Sequence, residues 1–158
     1  MLPLDLNCDL GEGYPHDADL MPLITSANVA CGYHAGDPDT MRRTVDLALA
    51  HGVAIGAHPG FADRENFGRR ELRLSAQEYY DLVSEQIQIM ADVAHAAGAT
   101  LQHVKPHGAL YNMAAREPEL AQVLALAVRD FDPHLTLFGL SGSASIGEAK
   151  KLGLRTLS

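Results

Sequence analysis

Basic residues are scarce in this chain of 158 residues: 12 lysines and arginines stand against 20 aspartates and glutamates, a formal charge of −8 with the histidines neutral. A nucleic-acid groove and an anionic membrane surface both need clustered cations, so this balance argues against either partner and leaves a small molecule as the expected ligand. Long apolar runs are missing too. No stretch of about 18 apolar residues exists to span a bilayer, and the opening M-L-P-L-D-L-N lacks the basic region of a signal peptide. The expected location is therefore cytoplasmic. Cysteine is limited to Cys8 and Cys31, too few and too far apart for a disulfide framework or a paired-cysteine zinc site. Both read as small strand-end hydrophobes. Also absent are H-E-x-x-H, G-x-S-x-G and G-x-x-x-x-G-K-[ST], which leaves zincin, serine-hydrolase and P-loop chemistry without support. Neither a low-complexity linker nor a repeat of 20 to 50 residues divides the chain, so 1–158 reads as one domain.

What is present alternates. Short apolar segments at 2–10, 26–31, 53–57, 100–104 and 134–140 read as strands, and 154–158 looks like the opening of a sixth. Between them lie patterns of helical length. The clearest runs from Ser75 to Ala97, where Val83, Ile87, Met90 and Ala94 recur at steps of four, three and four and so share one face. Ser75 with Glu78 makes a capping box at its start, and Gly98 closes it. Asp37 and Pro38 suit the cap and first position of a helix that Gly52 ends, Leu120, Val123, Leu124, Ala127 and Val128 stripe another, and Lys150, Lys151 and Gly153 close a last one. Strands alternating with helices imply parallel pairing through right-handed crossovers, hence an α/β fold. A barrel and an open doubly wound sheet both satisfy that pattern.

The chemistry-bearing strings sit at the strand ends. N-C-D-L-G-E-G follows the first strand, H-A-G-D the second, H-P-G the third and K-P-H-G the fourth. The carboxyl edge of a parallel sheet is where ligands bind, so one site can collect Asp9, Glu12, His34, Asp37, His58, Lys105 and His107. Carboxylates and imidazoles of this kind serve either as general acids and bases or as ligands of a divalent metal, with Asp9, His34, His58 and His107 the candidate ligands. The residue types leave both roles open. Lys105 can steady an oxyanion or a phosphate. Asp37 is also explained as a helix cap. His103 reads as a strand residue facing a helix, and His16, His51, His95 and His134 read as solvated. G-L-S-G-S at 139–143 leads from the fifth strand into a helix, where free N–H groups favour anions, which makes Ser141 and Gly142 candidate phosphate contacts.

The strings L-D-L-N-C-D-L-G-E-G (4–13), S-A-N-V-A-C-G-Y-H-A-G-D-P (26–38), G-V-A-I-G-A-H-P-G-F (52–61), N-F-G-R-R (66–70) and H-V-K-P-H-G-A-L-Y-N (103–112) closely resemble the LamB/YcsF family, the A subunits of bacterial ATP-dependent 5-oxoprolinase. The resemblance implies a seven-stranded, deacetylase-like parallel β/α barrel. It also implies hydrolysis of the cyclic amide of 5-oxoproline (pyroglutamate) to L-glutamate coupled to ATP hydrolysis, with subunits B and C as partners. Within the matching strings, Asn7, Glu12, Asn28, Asp37, Tyr111 and Asn112 are the substrate-binding candidates. In such a scheme Asp9 or His107 acts as base on water, Lys105 holds a phosphate or oxyanion, and His34 and His58 orient the substrate. Family members are considerably longer, and the acidic and arginine-rich strings after their sixth strand are missing here, so the expected barrel is incomplete, its C-terminal part absent. Two other readings stand beside this one: a metal-dependent carbohydrate deacetylase using the same ligands, and a binding component that holds 5-oxoproline without turning it over.

Overall fold

The computed structural model describes residues 4–158; Leu2 and Pro3, part of the expected first strand, lie outside them. Six strands, β1 (Asn7–Leu10), β2 (Ser26–Ala30), β3 (Ala54–His58), β4 (His103–Val104), β5 (Thr136–Phe138) and β6 (Arg155–Leu157), form one sheet in the order β1-β2-β3-β4-β5-β6. All five pairings are parallel. The helices are α1 (Asp17–Leu20), α2 (Pro38–His51), α3 (Ala76–Ala96), α4 (Gly108–Arg116), α5 (Pro118–Phe131) and α6 (Ala144–Lys151). A doubly wound sheet reverses its strand order part-way to place helices on both faces. Here the order never reverses, so same-handed crossovers stack the helices on one face and the sheet curls into a half-barrel. The open-sheet alternative is thereby removed.

Local signals set the element ends. Asp37 caps α2 by accepting from the Thr40 amide, and Gly52, in the left-handed conformation, closes it. Ser75 and Glu78 form the reciprocal capping box of α3. Gly108–Arg116 adds a helix to those read from the sequence and carries Tyr111 and Asn112 on α4.

The sheet has two unlike faces. Leu10, Ala27, Val29, Ile55, Ala57, Val104 and Leu137 point at the helix layer, where they meet Val83, Ile87, Met90, Leu124 and Val128 in one buried core. Burying each large aliphatic side chain there stabilises the fold by about 1.5–3 kcal/mol. Strand residues of the opposite parity line the concave face, and they include the polar Asn7, Asp9, Ser26, Asn28, His58 and His103. The register sets Asp9 beside Asn28, Asn28 beside Gly56, and Gly56 beside His103.

Gly56 makes that row possible. With no side chain on β3, the His103 ring lies across the strand and brings Nε2 to 2.7 Å from Asn28 Oδ1. Phe138 stacks on the same ring, with centroids 4.3 Å apart. His103 therefore faces the concave side and not a helix, contrary to its sequence reading. A Cβ at Gly56 would lie 2.1 Å from His103 Nε2, inside any allowed contact. Gly56→Ala must therefore expel the ring and break its bond to Asn28, with an expected loss of about 2 kcal/mol or more in denaturant unfolding. An unchanged unfolding midpoint would contradict this placement of His103.

Candidate active site

Four strand ends deliver the site. Glu12 stands two residues past β1 between Gly11 (φ 72°) and Gly13 (φ 89°), and these left-handed turns carry its carboxylate back over the sheet edge. His34 lies in the loop after β2, His58 ends β3, and Lys105 and His107 flank Pro106 after β4. Their side chains converge. Glu12 Oε1 is 3.3 Å from His34 Nε2, 3.4 Å from His107 Nδ1 and 3.7 Å from His58 Nε2, and His58 Nε2 is 3.0 Å from His107 Nδ1. His34 stacks face to face on His107 at 3.8 Å between centroids.

Two main-chain carbonyls orient the imidazoles. His58 Nδ1 meets the Lys105 carbonyl oxygen at 2.6 Å, and His107 Nε2 meets that of Phe67 at 2.8 Å. A carbonyl only accepts, so these nitrogens carry the protons, and His58 Nε2 and His107 Nδ1 turn lone pairs toward each other when neutral. Phe67 is the single non-glycine residue at positive φ (55°) among those described, and this conformation aims its carbonyl at His107. From α3, buried Gln86 brackets Gly60, accepting from its amide at 3.0 Å and donating to its carbonyl at 2.8 Å. Gly60 in turn underlies both stacked rings, for a Cβ there would lie 2.8 Å from His34 Nδ1 and 3.3 Å from His107 Cβ.

Beside this cluster lies an ion pair. Lys105 Nζ is 2.7 Å from Asp9 Oδ1, which also accepts from Asn28 Nδ2 at 2.7 Å, while Asp9 Oδ2 lies 3.5 Å from His58 Nε2. Burial pushes the Asp9 carboxyl upward, but hydrogen bonds and charge from His58 and Lys105 outweigh it and hold the group far below the usual carboxylate range. Asp9 stays an anion. Burial lowers His34, and burial with the neighbouring charges of His34 and His58 lowers His107 to about 4.

The candidate metal set changes in one member. Glu12, His34, His58 and His107 offer donor atoms all within 4.8 Å of one another, so this group can hold a metal ion, whereas Asp9 is taken up by Lys105 and Asn28. Asn28 is buried with its amide fully engaged: Nδ2 bonds Asn7 and Asp9, and Oδ1 meets Asn7 and His103. Asn28, held by Asn7, thus positions Asp9, and Asn7 also borders a cavity of about 370 Å³ with Lys105 and Tyr111. Tyr111 and Asn112 line a cavity of about 230 Å³ with Asp9, His58, Lys105 and Pro106, and burial raises the Tyr111 phenol, which keeps it a donor. Asp37 is exposed at its helix cap, outside the cluster. Ser141 and Gly142 are exposed in the turn before α6, and neither bonds to the cluster. Cys8 and Cys31 are free thiols, and burial pushes Cys31 up to about 12, which makes it an inert hydrophobe. His16, His51, His95 and His134 are exposed, as read from sequence.

Comparison with known proteins fits this geometry to a family. The model of the LamB/YcsF family matches residues 4–158. The chain belongs to the LamB/YcsF family. Among LamB/YcsF relatives, the A subunit of 5-oxoprolinase from Tolumonas auensis is 54% identical over 163 residues, which cover 100% of this chain and 65% of that protein. Its counterpart from Brevibacillus brevis, also named as the A subunit of 5-oxoprolinase, is 53% identical over 161 residues, covering 99% and 63%. The crystal structure of a lactam utilization protein from Thermus thermophilus superposes with a TM-score of 0.96 at 50% identity, covering 99% of this chain and 65% of the other. The chain therefore spans just under two thirds of the length of these relatives.

Site burial has a consequence for pH. Burial lowers His103 from 6.5 to about 4. A histidine depressed in the folded state takes its proton first when unfolded, so its contribution is whole above pH 6.5 and declines as pH falls toward 4, by about 3 kcal/mol in all. His103→Gln, which keeps a polar group for Asn28 but does not titrate, is expected to flatten the fall in unfolding free energy between pH 7 and 4. Equal slopes for both chains would show that His103 is not the group titrating.

Proposed function

We propose that this LamB/YcsF chain acts in the ATP-dependent hydrolysis of 5-oxoproline to L-glutamate, as the A component of a cytoplasmic 5-oxoprolinase that works with B and C partner subunits. What carries the reading is the Asp9–Lys105 ion pair set beside three imidazoles at the strand ends, in a chain about half identical to proteins named for lactam chemistry. Among the described residues no helix is long and apolar enough to cross a membrane.

The reaction breaks the lactam C–N bond and adds water across it, and ATP drives it because the five-membered ring is stable. Transfer of the γ-phosphoryl group of ATP to the amide oxygen, with release of ADP, activates the carbonyl carbon; water adds there, the ring nitrogen leaves as the protonated amine, and a second water hydrolyses the resulting acyl phosphate to the carboxylate and phosphate. Lys105, at the wall of the 230 Å³ cavity, is placed to hold the developing negative oxygen or the phosphate, and the G-L-S-G-S turn with Ser141 and Gly142 supplies further amides at the same sheet edge. Tyr111 and Asn112 offer hydrogen bonds to the ring amide or the substrate carboxylate. As a base on water, His107 is better suited than Asp9, because a carboxylate held so far below its usual range binds protons poorly. Where Glu12, His34, His58 and His107 instead hold a divalent cation, the cation would supply a Lewis acid for a carbonyl or water oxygen, and His107, then a ligand through Nδ1, would no longer be the base.

The decisive assay is glutamate release from 5-oxoproline by the full-length protein mixed with its partner subunits, with and without ATP. Lys105→Met removes the ammonium and keeps the stem. It is expected to lower ATP-dependent turnover by roughly 100-fold or more, on the scale of a lost oxyanion donor, while the melting curve remains cooperative. Full activity in a folded Lys105→Met protein would show that the ammonium takes no part in the chemistry.

A further inference from the structure

We infer that Glu12, His34, His58 and His107 form a site for a borderline divalent transition ion of the zinc class, and not for the Mg²⁺ that accompanies a nucleotide. The inference rests on the cluster as a cation site and is separable from ring opening. The first argument is electrostatic. With both outer nitrogens donating to the Lys105 and Phe67 carbonyls, His58 Nε2 and His107 Nδ1 face each other at 3.0 Å, a separation bridged either by one proton or by a cation that both lone pairs bind. The Glu12 carboxylate, 10% exposed, adds an anion to the same point, and its partners among the described residues are imidazoles alone. A largely buried carboxylate whose neighbours are imidazole nitrogens is an anion with no fixed cation beside it, and a bound metal ion would supply that charge.

The second argument is geometric. Zinc-class ions sit about 2.0–2.2 Å from nitrogen and oxygen ligands, which places neighbouring ligands of a tetrahedral site roughly 3.3–3.5 Å apart. Four of the six separations among these donors are 3.0, 3.3, 3.4 and 3.7 Å, and all six lie within 4.8 Å.

Donor chemistry decides the class. Mg²⁺ takes oxygen ligands and keeps several waters, whereas three imidazoles with one carboxylate suit zinc or cobalt. The surroundings are those of a built site. Ligating histidines usually give their other N–H to a carbonyl or carboxylate that fixes the ring, and two of these three do so to main-chain carbonyls. Gln86 anchors the Gly60 backbone that underlies the stacked rings of His34 and His107. His34 is the exception, since its buried Nδ1 has no partner; it relies on stacking against His107 and on Nε2 facing Glu12. The exposed histidines at 16, 51, 95 and 134 share no such cluster.

The test needs neither substrate nor partner subunits. The full chain, freed of metal by chelation, is titrated with Zn²⁺, Co²⁺ and Mg²⁺ by calorimetry and by the visible spectrum of the cobalt form. One equivalent of Zn²⁺ is expected, unaffected by excess Mg²⁺, with intense cobalt bands of four- or five-coordination. Glu12→Gln and His107→Gln, checked for folding by circular dichroism, should each weaken Zn²⁺ at least as much as the roughly 10- to 100-fold that outer-shell changes cost. Comparable Mg²⁺ affinity, no Zn²⁺ uptake, a six-coordinate aqua-like cobalt spectrum, or stoichiometric Zn²⁺ binding that survives both substitutions would each overturn the assignment. Should a substituted chain not fold, the cobalt spectrum of the unsubstituted chain still decides. A chain that binds zinc as described yet supports no glutamate release would remove the 5-oxoprolinase reading and leave this one standing.

Discussion

The contact between Lys105 and Asp9 joins β4 to β1 across two intervening strands, and the site depends on the curvature that allows it. Neighbouring strands lie about 4.8 Å apart, so in a flat sheet the first and fourth would be separated by roughly 14 Å. A 2.7 Å bond between their side chains needs the sheet to curl toward its polar face. Curvature follows from the unreversed strand order, which keeps the helices and nearly all the apolar packing on the convex side. The concave side is then left to polar groups that must satisfy one another. Asn7, Asn28, His103, Asp9 and Lys105 do so in a continuous chain of hydrogen bonds.

This arrangement explains what the sequence makes legible. The strand-end strings announce which edge carries the chemistry, and the caps at Ser75 and Asp37 announce where two helices begin, because both signals are local. His103 reads wrongly although a usable signal exists. It stands two residues before Lys105, and alternation along a strand puts both on one face with Val104 on the other. The glycine that accommodates it, Gly56, is far away along the chain, and only the register brings them together. Glu12 is legible as a site residue but not as a partner of the three imidazoles, since its direction depends on the left-handed glycines on either side of it rather than on strand periodicity. The helix at Gly108–Arg116 hides behind the K-P-H-G string, whose proline and glycine read as loop. Gln86 and the Phe67 carbonyl are invisible. A glutamine on the buried face of a helix, and a main-chain oxygen aimed by one unusual φ, acquire meaning only once the partner is in place.

Lys105 belongs to both centres through different atoms. Its ammonium pairs with Asp9 and faces the cavity, while its carbonyl takes the His58 proton and so turns His58 Nε2 toward Glu12 and His107. A side-chain substitution changes the first and leaves the second untouched, because every residue at position 105 carries the same carbonyl. The proposed cation binding and the proposed lactam chemistry would therefore be separable at this single position. Asp9 pairs with Lys105 and touches the cluster through His58, so neutralising it would free the ammonium while Glu12 remained the anion among the imidazoles. Charge is thus partitioned into a self-balanced pair beside the 230 Å³ cavity and an imidazole-lined pocket around the Glu12 carboxylate, where the proposed cation would supply the balancing charge.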